Sequence, residues 1–279
     1  MATAKPPSAY APQAAFKAAQ LAIAADAEAG HAELAQVPVD FPDSGVAQVA
    51  VVRLARWDDA RGGAALADER HDALGPKVRG HKVEETVRFE RAKRLAELGR
   101  TEEARDAFLE IAERWPYPFG AYFDDSLYRA SEAEERLARI PAAISTLERL
   151  LSHREVSGFM GSYERPRYVP ALLRIVDLYE KVGDRAKARE ALHRLYAEFE
   201  TSTLRDDALW REAELFRKDG DTGSMCSRLS TLTSDFPDSR YVPCAIERCS
   251  SIRRPSKSSA PKTCRAYLSR DPASAAASD

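Results

Sequence analysis

The chain has 279 residues, 44% of them hydrophobic and 31% charged, with 42 Lys+Arg against 44 Asp+Glu and a formal net charge of −2. Interleaved signs and near-neutrality exclude the broad basic field that non-specific binding to nucleic acid or anionic membrane requires. No stretch reaches the roughly 18–20 apolar residues of a membrane helix, and with no asparagine anywhere there is no N-glycosylation acceptor.

The N-terminus, MATAKPPSAYAP, lacks an apolar signal core. Residues 1–11 are expected to be disordered. Residues 12–42 read as a helix pair with Leu21, Leu34 and Val37 on one stripe, closed by the pentapeptide DFPDS at Asp40–Ser44. A second pair at 48–79 turns at Gly62. Four stronger pairs occupy 85–116, 124–156, 169–200 and 206–237. In each, apolar residues recur at spacings of three and four, which lays a stripe along one helix face. A weak pair at 243–272 ends the array, and the small polar residues 273–279 are expected to be disordered. DFPDS returns at Asp235–Ser239. Successive pairs step by 37 to 45 residues, so the two copies are the same helix ending five pairs apart.

Three segments carry one template: Leu95–Pro116, Leu178–Glu200 and Glu214–Pro237. Each has an apolar helix, a glycine turn and a second striped helix. They resemble the tetratricopeptide repeat, a helix–turn–helix unit of about 34 residues. On that template the first small position reads Ala92, Ser131, Val176 and Ala213. The turn reads Gly99, Ala138, Gly183 and Gly220, and the second small position Ala104, Ala143, Ala188 and Met225. The large positions read Phe108, Leu147, Leu192 and Leu229, then Ile111, Leu150, Leu195 and Leu232. Trp115-Pro116 and Phe236-Pro237 close two units. Val176 and Met225 are large for a close crossing, and Glu134 and Arg88 stand where apolar residues are usual. The resemblance implies an all-α, right-handed α-solenoid of about seven repeats over residues 12–272. Steps near 37 and the FPDS endings look more like the tandem repeats of bacterial cell-envelope proteins, such as the barrel-assembly lipoprotein and the Tol–Pal coordinator.

Catalytic signatures are missing: there is no Gly-x-Ser-x-Gly, no phosphate loop and no His-Glu-x-x-His. Scattered histidines, with His193 on a helix surface, and acidic pairs such as Asp58-Asp59 and Asp124-Asp125 read as solvated turns and helix starts. The chain is expected to be no enzyme and to hold no cofactor or metal. What the repeat family offers is a concave surface. On its template, groove positions read Phe89, Tyr128, Leu173 and Trp210, beside Arg129, Arg174 and Arg211. Lys93, Glu132, Asp177 and Glu214 follow about one turn on. These residues either bind a peptide or complete the packing between repeats. The clamp that such repeats use for acidic chaperone tails needs two asparagines, so it cannot be built here. Two connections between repeats are aromatic: Trp115–Asp125 and the long Ser152–Pro170. Phe119, Phe123, Phe159, Met160 and Tyr163 are expected to form an exposed apolar patch for a partner, with folding back over the solenoid edge as the alternative.

All four cysteines, Cys226, Cys244, Cys249 and Cys264, lie in the last fifth of the chain. Even count and clustering suggest two disulfides in an oxidising compartment, with four buried thiols in a cytoplasmic array as the alternative. On the repeat template the expected pairing, one of three possible, is Cys226–Cys249 with Cys244–Cys264. The expected function is a scaffold for a protein or peptide partner, periplasmic or outer-membrane-associated, with a cytoplasmic location as the alternative; an exported protein would have lost its leader, and Met1 would then not be the native start. The alternative is a structural subunit of a larger, self-associating assembly. Neither nucleic acid nor direct membrane insertion is expected.

Overall fold

The structure is a computed structural model that describes residues 8–153, 156–157, 161–162 and 165–264. The described residues are all-α apart from one pair of two-residue strands, β1 (Val156–Ser157) and β2 (Gly161–Ser162), paired antiparallel. Two compact units meet between Leu150 and Leu151.

The first unit is built from α1 (Ala11–Ala25), α2 (Ala27–Asp40), α3 (Gly45–Leu74), α4 (Glu84–Glu97), α5 (Thr101–Arg114), α6 (Phe123–Arg136) and α7 (Ile140–Leu151). The second holds α8 (Tyr168–Lys181), α9 (Arg185–Glu198), α10 (Arg205–Lys218), α11 (Thr222–Asp235) and the short α12 (Val242–Arg248). Within each unit, consecutive helices pack as antiparallel hairpins that stack on the next hairpin.

The hairpin turns follow from one backbone requirement. Gly99, Ala138, Gly183 and Gly220 all have positive φ, at 74°, 56°, 79° and 76°. At each, the N–H of the next residue donates to the carbonyl five residues back: Arg100 to Leu95, Arg139 to Glu134, Asp184 to Tyr179 and Asp221 to Phe216. This closure satisfies a carbonyl that the ending helix leaves open. Asp184 and Asp221 then cap the second helix by accepting from Lys187 N (3.1 Å) and Ser224 N (2.9 Å). The pair Gly-Asp therefore ends one helix and starts the other.

The striped positions form the core. Every small and large template residue named above is buried, from Ala92 and Phe108 to Leu229 and Leu232. Val176 and Met225 are accommodated in the buried interface between their helices. Arg88 solves its misplacement by reaching outward, donating to Glu84 (2.9 Å) and Glu110 (2.8 Å). Glu134 stays inside, and burial pushes its carboxyl above the usual range despite a hydrogen bond from Thr146.

DFPDS has a structural explanation. In the first copy the Pro42 carbonyl accepts from Val83 N (3.0 Å), and Asp43 accepts from Lys82 N (2.9 Å) and pairs with His81 (3.0 Å). In the second, the Pro237 carbonyl accepts from Ser258 Oγ, and Asp238 accepts from Ser259 N (2.6 Å). Each copy ends a helix and pins a later segment to that ending.

Four expectations need correction. The second pair turns at Gly63 (φ 69°), not Gly62, and its two limbs are continuous enough to count as the single kinked helix α3. Leu34 and Val37 are buried, but Leu21 is 64% exposed, because α1 turns only its Ala19 side fully inward. Its close approach to α2 occurs at Gly30, where an added Cβ would lie 2.1 Å from Ile23 N. Asp58 is not in a solvated turn but buried within α3. Among the described residues the last pair shows a first helix only: residues 249–264 follow α12 as irregular chain. That segment has few apolar residues for a stripe, and two disulfides hold it, Cys226–Cys249 and Cys244–Cys264. Cys249 is the C-cap of α12.

Candidate interaction surfaces

The groove aromatics are roofed by the repeat that follows. Phe89 is 5% exposed: Tyr122 stacks on it with centroids 4.3 Å apart, and Phe108 meets it edge-on at 5.7 Å. The guanidinium of Arg129 lies 5.9 Å from the same ring, as does the Lys93 ammonium. Trp210 is 7% exposed, stacked on Tyr241 at 4.8 Å with Arg248 over it at 4.3 Å. Both rings therefore complete packing between neighbouring repeats. Tyr128, Leu173 and Arg174 are half-buried. Arg211 is occupied, donating to Asp177 (2.7 Å) and Glu180 (2.6 Å) across 34 and 31 residues.

Sequence reading missed the roofing tyrosines. Tyr122 and Tyr241 are the N-caps of α6 and α12. For Tyr241 a signal existed: Arg-Tyr-Val-Pro occurs at 167–170 and again at 240–243. Tyr168 accepts from Arg165 and donates to the His153 carbonyl (2.6 Å), while Tyr241 accepts from Arg240 and donates to Asp207. The Asp207 contact and burial both push the Tyr241 hydroxyl well above its ordinary pKa.

The connection Trp115–Asp125 divides sharply. Phe123 is 2% exposed, inside α6, and does not join an exposed patch as expected. Phe119 is 89% exposed, the most exposed large apolar side chain among the described residues. Its loop is braced on both sides. Phe119 N and Gly120 N donate to the Pro116 carbonyl at 3.0 and 3.1 Å. Gly120 has no room for a side chain, since a Cβ would sit 2.0 Å from the Trp115 carbonyl oxygen. Glu85 reaches across 37 residues to accept from Tyr122 N (2.8 Å), and burial raises its carboxyl pKa even so. Phe159, Met160 and Tyr163 lie outside the described residues.

No group of three or more His, Cys, Asp or Glu among the described residues is arranged to hold a metal, and no described helix is long and apolar enough to cross a membrane. His193 is partly exposed, 3.6 Å from the buried Glu212.

These features define a helical-hairpin repeat protein, whose class works by presenting surface to other proteins. The tetratricopeptide repeat family model matches residues 170–202 and 207–239, so the chain carries tetratricopeptide repeats over those residues. Those two matches coincide with the α8–α9 and α10–α11 hairpins. Solved structures similar to the chain include a putative kinesin light chain with TPR-like repeats from Podospora anserina (13% identity, 67% of this chain and 91% of that one, TM-score 0.49). Others are PilF of Pseudomonas aeruginosa (18%, 82% and 93%, 0.48) and the type IV pilus biogenesis factor PilW (15%, 82% and 94%, 0.48). No curated protein matches the chain.

Proposed function

We propose that the protein is a non-enzymatic scaffold of the bacterial cell envelope, and that it grips a protein partner through the Trp115–Tyr122 loop, with Phe119 as the anchor. The observation that carries this reading is the contrast among its aromatics. Phe89, Trp210 and Phe123 are consumed by packing, whereas Phe119 is held out by a loop with little freedom to collapse. A rigid aromatic loses little entropy on binding, which is why aromatic anchors dominate interface energetics. The envelope location is supported by the two disulfides, since structural disulfides persist in oxidising compartments. The test is photo-crosslinking in the native host with benzoylphenylalanine at position 119, compared with position 182, which is also exposed. A discrete protein adduct at 119 and none at 182 is expected. Equal labelling at both positions overturns the assignment.

A further inference from the structure

The first unit contains a cavity of about 260 Å³ between α2, the two limbs of α3 and the short 3-10 turn at Gly75–Val78. It exists because Gly63, at positive φ, folds the second limb of α3 back beside the first. Ala35 and Val39 come from α2, Val51 and Leu54 from the first limb, and Ala73 and Leu74 from the second. This volume falls below the roughly 300–1,000 Å³ of most small-molecule sites. It exceeds the roughly 150 Å³ that holds benzene. The space is scaled to one bicyclic aromatic group.

The polar residues of the cavity are one-sided. Asp58 is 1% exposed; Arg70 Nη1 lies 2.8 Å from its Oδ1 and pairs with its charge, but that oxygen accepts no hydrogen bond. Its charge is paired, and its hydrogen-bonding capacity stays open to a further donor. His71 is buried beside it, with Nδ1 2.5 Å from the Ala67 carbonyl. A carbonyl only accepts, so Nδ1 carries the proton and the neutral ring keeps Nε2 as an acceptor. Burial lowers the His71 pKa and favours that neutral form. The inner groups thus offer acceptors, while at the exposed rim Arg70 is matched by Asp58 and Lys77 adds a positive charge.

We propose that this cavity is a docking site for a tryptophan side chain on an acidic peptide segment of a partner protein. The indole ring fills the apolar walls, and its N–H, a donor with no acceptor, meets Asp58. Acidic residues flanking the tryptophan pair with Lys77. A cationic side chain is disfavoured by that rim, and phenylalanine brings no N–H to Asp58.

The experiment titrates the full chain with 3-methylindole and with 3-methylbenzothiophene, the same shape without the N–H, following amide shifts by NMR. Saturable binding of 3-methylindole with shifts confined to the cavity lining is expected, and about ten- to a hundredfold weaker binding of the benzothiophene. Absence of saturation at millimolar probe, or equal affinity of the two, overturns the proposal. This comparison uses the unaltered protein and needs no variant to fold. Two peptides then read the rim: Glu-Glu-Trp-Glu-Glu is expected to bind at least about tenfold tighter than Lys-Lys-Trp-Lys-Lys at low salt, and Lys77→Glu to erode that preference. Equal peptide affinities refute the acidic-partner assignment. Ala35→Phe, checked for its helical signal, is expected to abolish probe binding; unchanged binding in the folded variant also overturns the site. The cavity and the Phe119 loop share no residue, so failure here leaves the loop reading standing.

Discussion

Ala138 occupies the turn position that glycine fills at Gly99, Gly183 and Gly220, with φ at 56°. An L-residue in the left-handed region costs roughly 1–2 kcal/mol. Glycine removes that cost, but its freer unfolded chain returns roughly 0.5–1 kcal/mol. The net expectation for Ala138→Gly is a stabilisation of about 0.5–1 kcal/mol. The reverse change at Gly99, Gly183 or Gly220 should destabilise by about 1 kcal/mol. At those three an added Cβ meets nothing within 4 Å, so the effect is backbone strain without a clash. The assay is urea denaturation followed by far-ultraviolet circular dichroism. Native-state hydrogen exchange of the flanking helices accompanies it, because repeat arrays unfold in parts. Neutral Gly→Ala changes, or a destabilising Ala138→Gly, would refute the reasoning that the four turns share one closure.

Glu134→Gln is expected to stabilise the protein at neutral pH. The buried carboxyl has a raised folded pKa, so its proton is held more tightly in the folded state, and stability falls as pH rises from the unfolded pKa through the folded one. The gain should vanish near pH 4, as measured by melting temperature across pH. Asp219 behaves oppositely: hydrogen bonds from Arg189 and Arg185 lower its pKa, so its contribution is lost as pH falls through the folded value, and Asp219→Asn should flatten the acid limb of the stability curve. Reducing both disulfides, which close loops of 23 and 20 residues, is expected to lower the stability of the α10–α12 segment by about 3 kcal/mol per bridge. Unchanged protease resistance after reduction would contradict it. Glu85→Ala strands the Tyr122 amide and should cost about 1–3 kcal/mol, with faster hydrogen exchange across residues 115–122.

Much of the fold is legible in the sequence because hairpin repeats depend on local rules. A stripe, a left-handed turn residue and an aspartate cap act within one pair of helices, and each recurs often enough to align. The N-terminal and C-terminal segments are less legible. Alanine-rich α1 carries a weak stripe, so Leu21 looks internal when the real contact is made through Gly30. After α12 there is no periodicity to read, and the cysteines replace it. Exposure was the least legible property of the candidate surfaces. Phe119 and Phe123 stand four residues apart in one aromatic run, yet Glu85 and the start of α6 turn one out and the other in. Nothing local to the run specifies that, because Glu85 comes from the preceding repeat. Phe89 and Trp210 fit a groove template equally well as ligands or as packing; the tyrosines that cover them lie 33 and 31 residues downstream.

Phe119 offers the most direct measurement of the scaffold account, because its side chain makes so little contact that truncation leaves the fold alone. With the partner captured at position 119 in hand, its affinity is measured by calorimetry for the wild type and Phe119→Ala. A loss of about thirtyfold or more, the scale of an interface hot spot of about 2 kcal/mol, is predicted with an unchanged melting temperature. Equal affinities for the two proteins would contradict the account.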